Sequence, residues 1–373
     1  MTGRSTTFDN YSKRLLNESR WRCRRGNTPG SATTQACREA RISVKKSAVG
    51  ARSTVLAENE MRVRASVGVA MLTYRATEHL PHSLPHIINS PLKPRVLVVD
   101  SSSKDGTVEM AQQMGAETLV IPRCELNHGL TRERARKHLG TDIAVMMTPD
   151  AYPTDEGMLT RLIAPVVEGS ASAAYSRQIP HDGADIFEAF PRYFNYPAEG
   201  HIRSFNDLHR LGVYTFFFSD SCAAYSNRAL DELGGFPPVL AAEDAIAVAQ
   251  LLRRGHRVAY VADAVVKHSH RYGLKAEFRR YFDTGYIRKV HQDVLSAPET
   301  DHDRGRLFFR ALLRELYRTG SAHLIPYAIL QTGMKLAGYR LGRLGPHLPV
   351  AIRQKLSGQD YYWTSEVFRQ LGV

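Results

Sequence analysis

An apolar run that stops at an aspartate and a polar turn is the feature that most limits how this chain can fold. Residues 96–107 read VLVVDSSSKDGT, so a buried strand would end at Asp100 just before the chain turns into a helix. Open α/β sheets present their ligand-binding groups at the carboxyl ends of such strands. The segment therefore predicts an α/β protein with a nucleotide pocket beside Asp100.

The alternation of strand and helix continues along the chain. The apolar runs predict strands over residues 66–73, 96–100, 118–121, 143–147, 173–177, 213–218 and 258–261. Helical patterns cover residues 77–90, 107–114, 130–139 and 243–254, and an amphipathic helical pattern continues from residue 278 to the end. Short connections between alternating strands and helices favour a mostly parallel sheet with right-handed crossovers. Residues 179–210 are irregular and aromatic, as in an insertion that faces an acceptor.

Composition bounds the domain organisation. The 373 residues are 43% hydrophobic, which suffices for one large or two smaller globular units. We predict a disordered basic extension over residues 1–64, an α/β domain over 65–290 and a helical, membrane-associating region over 291–373. Met61 precedes the first strand, so a start codon placed too far upstream is one interpretation of the extension, and an organelle transit peptide is another.

Cysteine spacing and hydropathy exclude two classes of protein. The four cysteines lie too far apart for a CxxC pair, so the sequence offers no zinc framework. A membrane-spanning helix needs about 20 consecutive apolar residues, and the longest apolar stretch is interrupted by Pro326, Gln331 and Lys335. The chain is therefore neither a zinc-ribbon protein nor a pore.

The net charge of +13 is concentrated at the two ends of the chain. Residues 1–60 hold twelve Lys/Arg against five Asp/Glu, and residues from 296 onward hold eleven against six. Basic ends suit an anionic membrane surface or a nucleic acid, but a nucleic-acid binder needs a basic stripe within the fold, and the middle of the chain is closer to neutral. No nucleic-acid partner is therefore expected.

Residues 307–317 form the clearest basic amphipathic pattern. Phe308, Leu312 and Leu316 share one helical face, and arginines surround it at positions 306, 310, 314 and 318. Helices of this kind lie on anionic membranes. We therefore predict peripheral membrane contact through this face.

Acidic and histidine residues at strand ends and helix starts are the candidates for chemistry. Asp150 follows the strand over 143–147, and Glu243 and Asp244 begin a helix behind a Gly-Gly-Phe-Pro loop. His268 and His270 follow the last strand and project to one side of an extended chain. Asp150 and either histidine could hold a divalent metal, and the paired acids could supply a general base. Solvated turn aspartates, ordinary first-turn helix acids and structural histidines are the alternatives.

Two further segments offer ligand contacts. Arg132 lies in NHGLTRERA at the start of a helix, where free N–H groups and a cation favour a phosphate or the edge of a base. The aromatic insertion could stack an acceptor sugar or form a small aromatic core, and its residues are Phe187, Phe190, Tyr193, Phe194 and Tyr196.

These motifs occur in an order that resembles a known family. The segments are SVGVAMLTYR, VVDSSSKDGT, NHGLTRERA, MMTPDAYP, FSDSCAAYSNRALDELGGFP, AAEDAIAVAQLLRRGHRVAYVADAVVKHSH and RRYFDTG. Their combination resembles the inverting family-two glycosyltransferases with a GT-A fold, and more narrowly the bacterial rhamnosyltransferases of O-antigen and exopolysaccharide synthesis. The resemblance covers about residues 67–363.

The resemblance implies a role for each matching position. The nucleoside-binding residues would be Thr73, Tyr74, Arg75, Asp100 and Ser102. Arg132 would touch the nucleotide, Asp244 would be the general base, and Glu243 would orient Asp244 or bind the acceptor. Asp150 would bind Mg²⁺ or Mn²⁺ as the aspartate of a DxD-like element, and His268 would reach the metal or the diphosphate. Thr148-Pro149-Asp150 has one acid where a full DxD has two, which predicts weaker metal binding.

The implied reaction is inverting transfer of a deoxyhexose, L-rhamnose from dTDP-L-rhamnose, to a sugar hydroxyl of a lipid-linked or polysaccharide acceptor. The implied location is the bacterial cytoplasm, at the inner face of the plasma membrane. A family-two enzyme with another donor, such as a UDP-hexose, would share every motif. A non-catalytic nucleic-acid-binding protein is the alternative from a different class.

Overall fold

A single mixed sheet organises the chain, in a computed structural model that describes residues 65–298 and 301–371. Its strands are β1 (Val67–Thr73), β2 (Arg95–Asp100), β3 (Glu117–Val120), β4 (Ile143–Met147), β5 (Tyr152–Pro153), β6 (Ala173–Ile179), β7 (His201–Arg203), β8 (Cys222–Ser226) and β9 (Val258–Lys267). They follow the order β3-β2-β1-β4-β8-β6-β9-β5, and β7 pairs with β9. The predicted disordered extension, residues 1–64, lies outside the described residues.

Helices cover the sheet and form the C-terminal region. They are α1 (Leu80–Ile88), α2 (Thr107–Gln113), α3 (His128–Leu139), α4 (Met158–Val167), α5 (Ile186–Asn195), α6 (Leu208–Leu211), α7 (Asn227–Leu233), α8 (Glu243–Arg253), α9 (Leu274–Val290), α10 (Gln292–Leu295), α11 (Asp301–Arg318), α12 (Ile325–Leu344), α13 (Val350–Leu356) and α14 (Glu366–Leu371). Short 3₁₀ segments lie at Arg123–Glu125, Phe205–Asp207, Gly212–Phe216, Ala322–Leu324, Gly345–His347 and Asp360–Thr364.

The first half of the sheet is parallel and matches the predicted elements. Strands β1, β2 and β4 are almost wholly buried, as strands covered by helices on both faces are. The register pairs Thr73 with Asp100 and Met71 with Met147. Because these strands run in the same direction, their carboxyl ends meet at one edge of the sheet, which is the predicted position of the site.

In the second half of the sheet, one predicted strand, residues 213–218, is absent. Residues 213–218 do not form a strand; they form a 3₁₀ turn followed by a loop, and β8 takes the place beside β4. The buried guanidinium of Arg203 explains the difference, because it donates to the carbonyl oxygens of Thr215, at 2.9 Å, and of Phe217. Those carbonyls are thus occupied by a side chain and are withdrawn from any strand ladder.

The aromatic insertion is ordered and belongs to the core. Residues 179–210 contain α5, β7 and α6 rather than irregular chain, and the Asp185 carboxylate caps α5 by accepting from the N–H groups of Phe187 and Glu188. The Phe190 ring lies 5.2 Å from that of Phe308 on α11. Phe190 and Tyr196 are buried, so the structure favours the core alternative over a stacking platform for these two rings.

The C-terminal helices pack onto the same body, and residues 66–373 form one compact unit. Helix α9 lies against α12 so closely that a Cβ at Gly338 or Gly342 would overlap the backbone of α9. The domain boundaries predicted at residues 64 and 290 stay predictions.

The predicted membrane-binding face of helix α11 is buried inside the fold. Leu312 and Leu316 are buried and Phe308 partly buried, in a cluster with residues of α5 and α12. This face is internal and is unavailable to lipid. Among the described helices, none combines the length and the hydropathy required to span a bilayer.

Candidate active site

Asp150, His268 and His270 lie together at one end of the sheet. Strand β5, just after Asp150, pairs with the end of β9, and this pairing brings the Asp150 turn beside the two histidines. Asp150 Oδ2 lies 3.5 Å from His268 Nε2 and 3.4 Å from His270 Nε2. One ligand atom from each side chain fits within 4.8 Å of the others, which is the compactness a bound metal ion requires.

A buried amide orients His268. Gln178 Oε1 accepts hydrogen bonds from Arg192 Nη1, at 2.5 Å, and from His268 Nδ1, at 2.9 Å. Because an amide oxygen only accepts, this network assigns the Nδ1 proton and leaves Nε2 facing the Asp150 carboxylate. A cation can then lie between Nε2 and the carboxylate, which are 3.5 Å apart. A divalent metal fits this donor set, since metal-bound histidines usually donate their other ring N–H to an oxygen.

The protonation of the other two groups also suits metal binding. Burial raises the pKa of Asp150, but the hydrogen bond and charge of His268, with Thr148 and His270, outweigh it, so the net pKa lies below the usual range. Burial and the neighbouring His268 lower the pKa of His270 to about 4. Both shifts favour the deprotonated forms of Asp150 and His270, which are the forms that bind metals.

A second cluster gathers three carboxylates around Arg132. Arg132 Nε lies 2.9 Å from Asp220 Oδ2, and Nη1 pairs with Glu243 Oε1. The backbone N–H of Asp220 donates to Asp244 Oδ2 at 3.2 Å, and the Tyr225 hydroxyl donates to Asp220 Oδ1 at 2.6 Å. One guanidinium thus faces three acids, which makes the cluster bind protons more readily than isolated carboxylates.

The two acids at the start of α8 differ in exposure. Glu243 is 5% exposed and its charge is paired with Arg132, whereas Asp244 is only partly buried. Burial and the Glu243 charge raise the pKa of Asp244 to about 6, although Arg132 opposes the rise. Burial likewise raises the pKa of Asp220 to about 8. Asp244 is therefore the acid that a substrate hydroxyl can reach and that ionises near neutral pH.

Asp100 organises the nucleoside side of the edge. Its carboxylate is fully buried and accepts from the Thr73 hydroxyl at 3.1 Å and from the Ser103 N–H and hydroxyl at 2.6 Å each. The Ser103 hydroxyl in turn accepts from the Arg75 N–H at 2.7 Å. Thr73 and Asp100 therefore hold the two loops together, and the groups that face solvent come from their neighbours.

Tyr74 is the exposed aromatic ring of this region. It is 40% exposed, and the Arg123 guanidinium lies 3.7 Å from its ring centroid. The same guanidinium lies 5.5 Å from the ring of Tyr361, whose hydroxyl is 3.4 Å from His128 Nε2. A cation stacked on flat rings is a surface on which a base can lie.

Backbone strain marks three of the predicted loops. Arg75, Ser102 and Ala242 have φ values of 53°, 59° and 59°, in the left-handed region that residues other than glycine rarely adopt. Arg75 and Ser102 follow β1 and β2, and Ala242 directly precedes Glu243. Such strain persists where surrounding contacts enforce it, and it concentrates at functional sites.

Comparisons with known proteins decide the family. Residues 68–234 match the sequence profile of Glycosyl transferase family 2. The chain is 33% identical over 297 residues to the O-antigen chain rhamnosyltransferase RfbN of Salmonella typhimurium, covering 79% of this chain and 94% of that protein. It is also 33% identical over 286 residues to the O-antigen chain rhamnosyltransferase WbaN of Salmonella anatum, covering 76% and 90%. The chain belongs to glycosyltransferase family 2.

Solved structures of the GT-A fold resemble this family-two chain. The mannosyltransferase PcManGT from Pyrobaculum calidifontis, in complex with GDP-Man and Mn²⁺, matches with 18% identity and a TM-score of 0.48 over 87% of this chain and 96% of that one. S. aureus TarS with UDP-GlcNAc matches with 16% identity and a TM-score of 0.47 over 82% and 92%. The predicted GT-A fold and glycosyltransferase class are confirmed.

The structure brings some of the predicted site residues into contact with one another. Thr73, Asp100 and Ser102 share one corner, and Asp150 lies against His268. Arg132 lies on α3, and the carboxylates of Asp220 and Glu243 occupy its guanidinium, so its predicted nucleotide contact remains a prediction.

Sequence reasoning assigned no role to four residues of the site: Asp220, Gln178, Arg123 and Tyr361. Asp220 and Arg123 had a usable signal, because Asp220 stands just before β8 and Arg123 just after β3.

Proposed function

We propose that this family-two glycosyltransferase transfers L-rhamnose from dTDP-L-rhamnose, with inversion, to a sugar hydroxyl of a lipid-linked or polysaccharide acceptor. Its relatives RfbN and WbaN are named O-antigen chain rhamnosyltransferases and align with most of this chain, which supports rhamnose as the transferred sugar. The observation that carries the reaction is Asp244, a partly exposed carboxylate with a pKa raised to about 6 beside a buried Glu243–Arg132 pair. A base of this strength suits work at neutral pH.

In the proposed reaction Asp244 takes the proton of the acceptor hydroxyl as its oxygen attacks the anomeric carbon. The new C–O bond forms opposite the bond to the diphosphate, which breaks and leaves its electron pair on dTDP. Arg132 and Glu243 hold the start of α8, so Asp244 is positioned by contacts that the substrate does not need to make. Attack from the opposite face inverts the configuration.

The divalent metal, Mg²⁺ or Mn²⁺, would be held by Asp150, His268 and His270. When bound, it would neutralise the charge that develops on the departing diphosphate. Two imidazoles and one carboxylate suit Mn²⁺ better than Mg²⁺, which prefers oxygen ligands. The second histidine would supply the ligand that the single acid of Thr148-Pro149-Asp150 lacks.

On the nucleoside side we propose that Tyr74 and Arg123 receive the base. Thr73, Asp100 and Ser102 would shape the pocket mainly through the loop contacts described above, and Arg75 would flank it. The proposed location is the cytoplasmic face of the bacterial plasma membrane, where a lipid-linked acceptor is available.

Two measurements test the proposal. Thermal shifts should increase with dTDP-L-rhamnose and Mn²⁺ but not with UDP-sugars; a response to a UDP-hexose alone would assign a different donor. Asp244→Asn should lower the transfer rate by about 10²- to 10⁴-fold while its donor-induced thermal shift is kept. Asp263→Asn, an exposed aspartate, is the matched control. Full activity in Asp244→Asn would refute the base assignment.

A further inference from the structure

Helix α12 carries several large aliphatic side chains on the outside of the fold. Four of them are between 37% and 57% exposed, namely Ile329, Leu330, Leu336 and Leu344. The face that packs inward consists of smaller or polar residues together with one tyrosine: Ala328, Gln331, Gly338, Tyr339 and Gly342. At 3.6 residues per turn these two sets lie on opposite sides of the helix. The four aliphatic residues are called the α12 stripe below.

The charged residues in the chain segment that carries the α12 stripe have one sign. The sequence contains no Asp or Glu between Glu315 and Asp360, but it contains six Lys or Arg. Lys335 pairs with the buried Glu277, and Arg353 donates to backbone carbonyls, so those two cations are used inside the fold. Arg340 and Arg343 are exposed and lie on the turns between Leu336 and Leu344. An apolar strip with arginines along it therefore faces outward.

Exposed aliphatic side chains also occur on the next helix. Val350 and Ile352 on α13 are 40% and 43% exposed, and the same acid-free segment includes them. Groups of exposed aliphatic side chains are a mark of interaction surfaces.

The arginines beside the α12 stripe favour an anionic partner over a second copy of the chain. A second copy of the chain would bring Arg340 and Arg343 against their own counterparts, with no acidic residue in the segment to pair with them. An anionic lipid surface offers phosphate groups for the arginines and an acyl boundary for the aliphatic side chains. We propose that the α12 stripe docks on an anionic phospholipid surface, with Arg340 and Arg343 at the level of the headgroups.

The test is co-sedimentation of the full chain with vesicles of phosphatidylcholine alone or mixed with phosphatidylglycerol. Wild type should pellet with the mixed vesicles. The double variant Ile329→Ser/Leu336→Ser should partition about 20-fold more weakly, because two half-exposed aliphatic side chains are lost. Arg340→Gln or Arg343→Gln should each weaken binding to the mixed vesicles roughly fivefold. Ile202→Ser, 45% exposed on β7, should bind as wild type does.

Three results would overturn the inference: no binding of wild type to mixed vesicles, wild-type binding by the stripe variant, or equal binding to both kinds of vesicle. Light scattering tests the alternative occupant, a second copy of the chain. If wild type is a dimer, and the stripe variant is a monomer that still binds vesicles, the α12 stripe is a self-association surface. Unchanged thermal unfolding of the variants shows that they are folded. Vesicle binding is measured without donor or acceptor, so this result does not depend on whether rhamnosyl transfer is confirmed.

Discussion

Replacement of Glu243 by Gln should shift the pH dependence of transfer toward acid. As the proposed base, Asp244 would accept a proton only when it is ionised, so kcat/KM should fall as the pH drops through its pKa of about 6. The Glu243 carboxylate raises that pKa because a like charge beside Asp244 disfavours ionisation. The glutamine side chain would keep an oxygen near Arg132 but carry no charge, so Asp244 should become easier to ionise.

The size of the shift follows from the order of the causes. The pKa of Asp244 rises from 3.8 to about 6, with burial as the largest contribution and the Glu243 charge as the second. Glu243 therefore accounts for less than half of the contributions that raise the pKa, and its neutralisation should move the acid limb down by about one pH unit, or ~1.4 kcal/mol. Arg132 would then face one charged acid fewer, which acts in the same direction. A weaker base also lowers the plateau rate.

The assay is the pH profile of kcat/KM from pH 4.5 to 8, roughly the range over which such a carboxylate titrates. Wild type and Glu243→Gln are compared with Glu366→Gln, which changes an exposed acid on α14. The control should reproduce the wild-type limb. An acid limb that stays in place in Glu243→Gln, or moves to higher pH, would refute the assignment of Asp244 as the group that titrates.

Three other substitutions test the orientation of His268 and the packing of α12. Gln178→Leu removes the acceptor of His268 Nδ1, so Mn²⁺ affinity measured by calorimetry should fall about 10- to 100-fold; unchanged affinity would contradict the orienting role. Gly342→Ala places a Cβ against the Phe282 carbonyl oxygen and should destabilise the fold by about 2 kcal/mol in chemical denaturation. Gly333→Ala, with open space beside it, should instead stabilise the same helix by about 0.5 to 1 kcal/mol.

The parallel half of the sheet was predictable because its physical determinants are local. Buried runs that end in polar turns fix β1, β2 and β4, and parallel pairing then places Thr73, Asp100 and Asp150 at one edge without further information. The cluster of Asp150, His268 and His270 also depends on the extension of β9 to Lys267 and on its pairing with β5.

The acid cluster could not be assembled from sequence in the same way. Asp220 reaches Arg132 because β8 runs antiparallel to β4, and the strand predicted over 213–218 would have placed it elsewhere. The signal that displaced that strand is the buried Arg203, whose backbone partners lie more than ten residues away along the chain. A long-range side-chain contact of this kind leaves no periodic trace in the sequence.

The two C-terminal helices show why amphipathicity alone misassigned the membrane face. A periodic apolar face on α11 indicates that something covers it, and the partners turn out to be α5 and α12. On α12 the inward face includes Gly338 and Gly342, which let two backbones approach closely, so large aliphatic side chains are not needed to hold the helix in place. The large aliphatic side chains of the α12 stripe point outward instead. Exposed apolar area is unfavourable in water, so its presence here indicates a binding surface. The absence of acids between Glu315 and Asp360 is the part of this pattern that the sequence alone displays, and the proposal of an anionic partner depends on it, whereas hydropathy alone suggests no partner.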